Sequence, residues 1–357
     1  MAQPPLKAPL NLPSALLDAI RHEGFARYQR FLKGIKAYQN HPYQRKIKPL
    51  PVVFQESTSR LFLSQATQPQ GMIVIVPSLI NRSYILDLAE NNSFIRKLGE
   101  QGYTTLLVDW GDPTVLEQPL GLDGYMGRLL RMVEAAKLQA GDQPVYIMGY
   151  CMGGLLAMAA AILKPKFFKG LCLLATPWDF HVAPMPFAQA LSRHWPSWQS
   201  LLPSLSVVPV EWLQWYFSAL NPLQILQKFS KFGDLPQQSV AAQQFVALED
   251  WLNDGVAVTQ RVIQESLENW YRDNLPVQAQ WRVCGQIIDP RYVDCPILAV
   301  LPKQDRIVPP ASASAISSNL PSIKMVTIDA GHIGMVASPR AAPQTIAAIV
   351  NWLNTLS

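Results

Sequence analysis

The stretch Gly149-Tyr150-Cys151-Met152-Gly153-Gly154 lies where an apolar run (VYIMGYC, 145–151) gives way to a helical pattern (152–163). Glycines two residues either side of a nucleophile let the chain make a tight, strained elbow that lifts one side chain above a sheet. At such an elbow the N–H of the next residue, Met152, points at a developing oxyanion, helped by the N-terminus of the following helix. A helix N-terminus also favours a thiolate over a thiol. Cys151 is therefore the candidate nucleophile. The competing reading is a plain strand-to-helix turn that buries a cysteine.

An elbow nucleophile needs an acid and a base that follow it in the chain. Of the five histidines, His22, His41, His181, His194 and His332, one stands after a late strand pattern and before the last helix. That is His332, in Asp329-Ala330-Gly331-His332-Ile333-Gly334. The acid should leave the preceding strand. Asp305, three residues past PILAVLP (296–302), has that place; Asp109, Asp179 and Asp329 are the alternatives. A second oxyanion amide is expected from the loop 77–88 after the first buried strand, with Leu79 and Ile80 as the candidates beside Met152.

The elements that must hold these groups show in the hydrophobic pattern. Apolar runs recur at MIVIVPS (72–78), TTLLVDW (104–110), VYIMGYC (145–151), GLCLLAT (170–176), PILAVLP (296–302) and IKMVTID (323–329). Near-continuous apolar character belongs to parallel strands covered on both faces. Helical patterns at 93–101, 122–138, 152–163, 311–319 and 341–356 alternate with them, which gives a doubly wound, mostly parallel α/β sheet. The order Cys151, Asp305, His332 is that of an α/β-hydrolase with cysteine in place of serine. The rhythm breaks between about 180 and 290, a segment rich in Trp, Pro and Gln with helical patches at 209–220 and 243–271. We read three parts: a basic helical segment (1–50), the α/β core (51–179 and 291–357), and an inserted helical cap (180–290).

Composition narrows the function classes. The chain has 357 residues, 49% hydrophobic and 15% charged, the latter below the roughly 25% of ordinary soluble proteins. A disordered chain is excluded. No apolar stretch approaches the roughly 18 residues of a spanning helix, and the start lacks the pattern of a signal peptide, so a cytoplasmic protein is expected. The net charge of +5 is uneven: residues 1–50 carry +7, which leaves −2 for the remainder. Such a segment suits an acidic partner or a lipid-like surface, or is simply solvated; no motif points to nucleic acid. The four cysteines, Cys151, Cys172, Cys284 and Cys295, form no CxxC pair, which argues against zinc and against a disulfide framework.

Taken together, PSLINRSYILDL (77–88), VDWGDP (108–113), the GYCMGG elbow, ATPWDF (175–180), QDRIVPP (304–310) and AGHIG (330–334) resemble the polyhydroxyalkanoate synthases, in the family's order across 71–335. Without the long N-terminal region of the large synthases, the chain looks like the short class III type, which works with a second, non-catalytic subunit. The resemblance implies that Cys151 is acylated, with His332 as its base and Asp305 as third member. It implies (R)-3-hydroxyacyl-CoA and a growing polyester chain as substrates, with coenzyme A as leaving group and no other cofactor. A homodimer and association with polyester granules are expected too. The chain departs from the family at Arg306, where a histidine is common, and at Tyr150 and Met152.

Cysteine suits that reaction. A coenzyme A thioester passed to a thiol gives another thioester, close to energy-neutral and still open to attack by a hydroxyl. A polymerase must exclude water, which an apolar cap does; Trp195, Trp198, Trp212 and Trp215 are candidates for such a lid. Two other readings compete: a cysteine hydrolase of the same fold (an intracellular polyester depolymerase or thioesterase), and a catalytically weak granule-surface scaffold. The Cys–Asp–His order argues against the scaffold.

Overall fold

All six apolar runs form strands in a computed structural model, which describes residues 13–182, 197, 199–200, 202–205, 207–208 and 222–356. The expected lid residues Trp195, Trp198, Trp212 and Trp215, together with His194 and the helical patch 209–220, lie outside the described residues. A hairpin, β1 (Val52–Glu56) and β2 (Ser59–Ser64), precedes β3 (Gly71–Val76), β4 (Tyr103–Asp109), β5 (Val145–Tyr150), β6 (Gly170–Leu174), β7 (Ile297–Pro302) and β8 (Lys324–Ile328). They make one sheet in the order β1-β2-β4-β3-β5-β6-β7-β8. The hairpin strands pair antiparallel, with each other and with β4; every pairing from β4 to β8 is parallel.

Strands β3, β5, β6 and β7 are buried along their whole length, as expected where helices cover both faces. Helices α1 (Ser14–Gln39), α2 (Phe94–Glu100), α3 (Leu122–Ala140) and α4 (Gly153–Leu163) come first. Then follow α5 (Pro222–Gly233), α6 (Val240–Asn253), α7 (Gln260–Ser266), α8 (Pro310–Ser314), α9 (Ile316–Asn319), α10 (Gly334–Ala337) and α11 (Ala342–Leu353). Helix α4, which starts at the elbow, is apolar on all sides and buried from Gly153 to Ile162. That is the signature of a helix sealed inside a core rather than lying on a surface.

The chain divides into two compact units. One comprises Arg45–Phe217 and Leu248–Ser357 and holds the sheet. The other comprises Met1–Gln44 and Ser218–Ala247. In this second unit α1 packs on α5 through its C-terminal half. Gly34 brings the two backbones so close that a Cβ there would lie 1.8 Å from the Phe229 carbonyl oxygen. Phe31 and Tyr38 meet the Phe229 ring edge-on at 6.2 and 5.8 Å, and Lys33 pairs with Asp234 at 3.3 Å. Toward the N-terminus of α1 the described side chains are exposed, Leu16, Leu17, Phe25 and Tyr28 among them. No described helix is long and apolar enough to cross a membrane.

Candidate active site

Cys151 follows the last residue of β5 with φ +56°, a left-handed conformation that costs a non-glycine residue about 1–2 kcal/mol. Neighbours hold it there: its N–H donates to the Leu174 carbonyl at 2.9 Å, and its own carbonyl accepts from the Gly154 N–H at 3.0 Å. The flanking glycines are required by close approach. A Cβ on Gly149 would come within 2.2 Å of the Gly154 Cα, and one on Gly153 within 2.2 Å of the Val76 carbonyl oxygen at the end of β3. Any side chain at either position would force the elbow apart. The thiol is therefore presented by a turn whose geometry is over-determined.

Asp305 and His332 come from the loops after β7 and β8. His332 Nδ1 lies 2.7 Å from Asp305 Oδ2, both groups buried. The other carboxylate oxygen, Oδ1, accepts the N–H groups of Ile307 and Val308, each at 2.8 Å. QDRIVPP is thus a turn wrapped around its own aspartate, which explains a carboxylate at this loop position. The Cys151 thiol is close enough to His332 to act on its imidazole. With Nδ1 committed to Asp305, Nε2 is the nitrogen left for the sulfur. Burial alone would disfavour the charged imidazolium. The negative charge of Cys151, the bond to Asp305 and the Asp305 carboxylate outweigh it and raise the imidazole above its ordinary value of 6.5.

The alternative aspartates are engaged elsewhere. Asp109 accepts the Ser83 hydroxyl at 2.8 Å, and burial pushes its carboxyl up. Asp179 accepts the His181 N–H and the Asn274 side-chain amide, both at 2.8 Å. Asp329 accepts from Gln304 at 2.8 Å. Of the four candidates, Asp305 is the one the fold brings to His332.

The expected oxyanion residues divide between two elements: Met152 caps the buried helix α4, whereas Leu79 and Ile80 lie in the turn after β3. The rest of that loop is heavily tied down. Arg82 pairs with Asp112 at 2.9 Å and Asp254 at 3.0 Å, the Trp251 indole N–H donates to the Arg82 carbonyl at 2.8 Å, and Asn81 bridges to Gly255. Asp87 takes Arg96 at 2.8 Å. The string NRSYILD is accordingly a set of tethers for the segment that carries Leu79 and Ile80.

Two aromatic residues near the thiol were given no role by the sequence. Tyr150 is buried, stacks on the His332 ring, and donates its hydroxyl to the His332 carbonyl oxygen at 3.2 Å. Tyr271, in the π-helical turn Leu267–Arg272, is buried close enough for the Cys151 charge to act on its hydroxyl. Its ring meets Phe180 edge-on at 4.8 Å, and Trp270 and Trp281 continue the cluster. No pattern of spacing reports such contacts. A π-helical turn inserts one extra residue and often marks a functional site, but it cannot be read from composition. Among the described residues no group of His, Cys, Asp and Glu could hold a metal ion.

Comparison with known proteins bears on the fold and the family. The chain is 29% identical over 85% of its length to a poly(3-hydroxyalkanoate) polymerase subunit of Haloferax mediterranei, and spans 63% of that relative. It is 26% identical over 95% of its length to the polymerase subunit of Synechocystis sp., covering 93% of it. Among solved structures MenH from S. aureus superposes with a TM-score of 0.51 at 15% identity, over 84% of this chain and 99% of the other. The sequence pattern of the α/β hydrolase fold matches residues 71–339. With its eight-stranded sheet, its elbow and that match over most of its length, the chain belongs to the α/β-hydrolase fold family.

Proposed function

We propose that the chain is a polyhydroxyalkanoate synthase that transfers (R)-3-hydroxyacyl groups from coenzyme A to a growing polyester through acyl-Cys151. The observation that carries this reading is Cys151 at a strained elbow, close to the imidazole of His332 that Asp305 holds. It occurs in a chain similar to proteins that bear polymerase names.

In the first half-reaction His332 takes the thiol proton and the Cys151 sulfur attacks the thioester carbonyl. The carbonyl electron pair moves onto oxygen, where the amides of Met152 and of Leu79 or Ile80 stabilise it. Collapse expels the coenzyme A thiolate, which takes the proton from the imidazolium. In the second half-reaction His332 takes the proton of an incoming hydroxyl, whose oxygen attacks the Cys151 thioester. An ester bond forms, and the proton returns to the Cys151–His332 pair. Asp305 holds the imidazole in the tautomer that leaves Nε2 free and stabilises its positive form. No cofactor beyond coenzyme A is assigned.

In this reading residues 180–290 are the cap that excludes water, and the aromatic cluster of Phe180, Trp270, Tyr271 and Trp281 supports it. The basic N-terminal segment is assigned to association with a second subunit or a granule surface, supported by the exposed Phe25 and Tyr28 beside Arg21 and Arg27. The test is incubation with 3-hydroxybutyryl-CoA, following free coenzyme A beside turbidity. Coenzyme A released together with insoluble polymer is expected. Release matched by free 3-hydroxybutyrate, with no polymer, would make the protein a thioesterase instead.

A further inference from the structure

Tyr150 ends β5 and immediately precedes Cys151. Its side chain crosses to the base. The phenol hydroxyl donates to the His332 carbonyl oxygen at 3.2 Å, and the ring lies over the imidazole with centroids 5.2 Å apart and planes 29° from parallel. Burial, then the charges of Cys151 and Asp305, hold the phenol well above its ordinary range, so it acts as a donor and never as a base. Gly331 and Gly334 stand either side of the histidine it touches, and a Cβ at either would meet nothing nearer than 3.7 Å.

We propose that Tyr150 is a positioning residue that locks His332 against Cys151, its hydroxyl fixing the backbone of the base and its ring stabilising the imidazolium face-on. The proposal rests on the reading of Cys151, His332 and Asp305 as the catalytic groups. A single strand end then carries both the nucleophile and the clamp on its base, and the two cannot drift apart without straining one peptide unit. A buried phenol must satisfy its hydroxyl, and here the partner is the base's own main chain. The face of an aromatic ring attracts a cation, so the ring favours the state in which His332 holds the thiol proton. Tyr150 is also one of the elbow positions at which this chain departs from the synthases it resembles.

The two contributions can be separated. Tyr150→Phe keeps the ring and loses the hydroxyl; Tyr150→Leu loses both. Each variant is compared with the unaltered protein for coenzyme A release from 3-hydroxybutyryl-CoA and for the pH profile of Cys151 alkylation by iodoacetamide, with near-ultraviolet circular dichroism to check the fold. For Tyr150→Phe, turnover should fall about 3- to 10-fold, the worth of one hydrogen bond, with the alkylation profile unmoved. For Tyr150→Leu, the profile should also shift up by about one pH unit, the worth of a desolvated cation–aromatic contact. Unchanged turnover in Tyr150→Phe overturns the tether, whether or not Tyr150→Leu folds. Equal losses in both variants that track a lowered melting temperature would assign Tyr150 to packing alone and overturn the proposal. If the unaltered protein neither releases coenzyme A nor alkylates at Cys151, the reading of the site itself has failed, which is a different result.

Discussion

Changing Asp305 to asparagine removes one charge and almost no volume, and the structure says how the new side chain must choose. Oδ1 accepts two backbone N–H groups at 2.8 Å, while Oδ2 faces His332 Nδ1 at 2.7 Å. If the asparagine oxygen stays on the two amides, its NH2 faces Nδ1. The imidazole proton must then move to Nε2, the nitrogen that should receive the thiol proton. Turning the oxygen to His332 instead aims NH2 at two backbone donors. The Val308 N–H is buried, and a buried donor left unpaired costs roughly 1–3 kcal/mol, so the turned form is disfavoured by about that much. The wrong tautomer therefore dominates. In the serine-protease triad the equivalent change costs about 10⁴ in turnover. A cysteine ionises more readily than a serine, so a loss of about 10²- to 10⁴-fold is expected here. Coenzyme A release at saturating 3-hydroxybutyryl-CoA measures it, with melting temperature as the control for folding. Turnover within about threefold of the unaltered protein would refute the reasoning and return Asp109 and Asp179 to consideration.

Arg82→Ala removes two ion pairs, to the half-exposed carboxylates of Asp112 and Asp254, and should cost about 0.5–2 kcal/mol in denaturant unfolding. With the loop that carries Leu79 and Ile80 loosened, kcat should fall more than KM rises, which steady-state kinetics will show. Deleting residues 1–24 removes no described side chain that is buried and should leave the melting temperature unchanged. Deleting residues 1–40 also takes Phe31, Gly34 and Tyr38 from α5 and should lower it. Glu117 offers a pH test. Burial pushes its carboxyl up, but the Thr114 N–H and hydroxyl and the Arg128 guanidinium outweigh burial and hold it below the usual 4.5. A carboxyl with a depressed value stabilises the fold above 4.5 and loses that contribution as pH falls through its folded value. Glu117→Gln should thus be the less stable protein at neutral pH, with the gap in urea unfolding closing as the pH falls below the usual carboxylate range.

What could be read from the sequence follows from what is local. β3, β5, β6 and β7 announce themselves because both faces are buried, which leaves an unbroken apolar run. The elbow is legible because glycine is the residue that tolerates the 2.2 Å approaches at Gly149 and Gly153. Asp305 and His332 are legible by position after successive strands. Tyr150 is not, because its role depends on a contact 182 residues away along the chain. The expected helix over 243–271 is instead two, α6 and α7, parted by Gly255 and the short strand Val258–Thr259; the apolar pattern runs through a break set by tertiary pairing. The pattern 311–319 likewise divides into α8 and α9. The apolar residues of α1 divide as well: Phe31 packs, while Leu16, Leu17, Phe25 and Tyr28 are exposed. Periodicity marks an amphipathic face but not how far its partner extends, and here the close contact is made at Gly34, which has no side chain to signal it.

Covalent capture of the intermediate tests the central claim most directly. The protein is mixed with 3-hydroxybutyryl-CoA, quenched in acid within the first turnovers, digested and mapped by mass spectrometry. A 3-hydroxybutyryl group on Cys151, removed by hydroxylamine and missing in Cys151→Ala, is the predicted result. Acylation of another residue, or undiminished coenzyme A release by Cys151→Ala, would contradict the account.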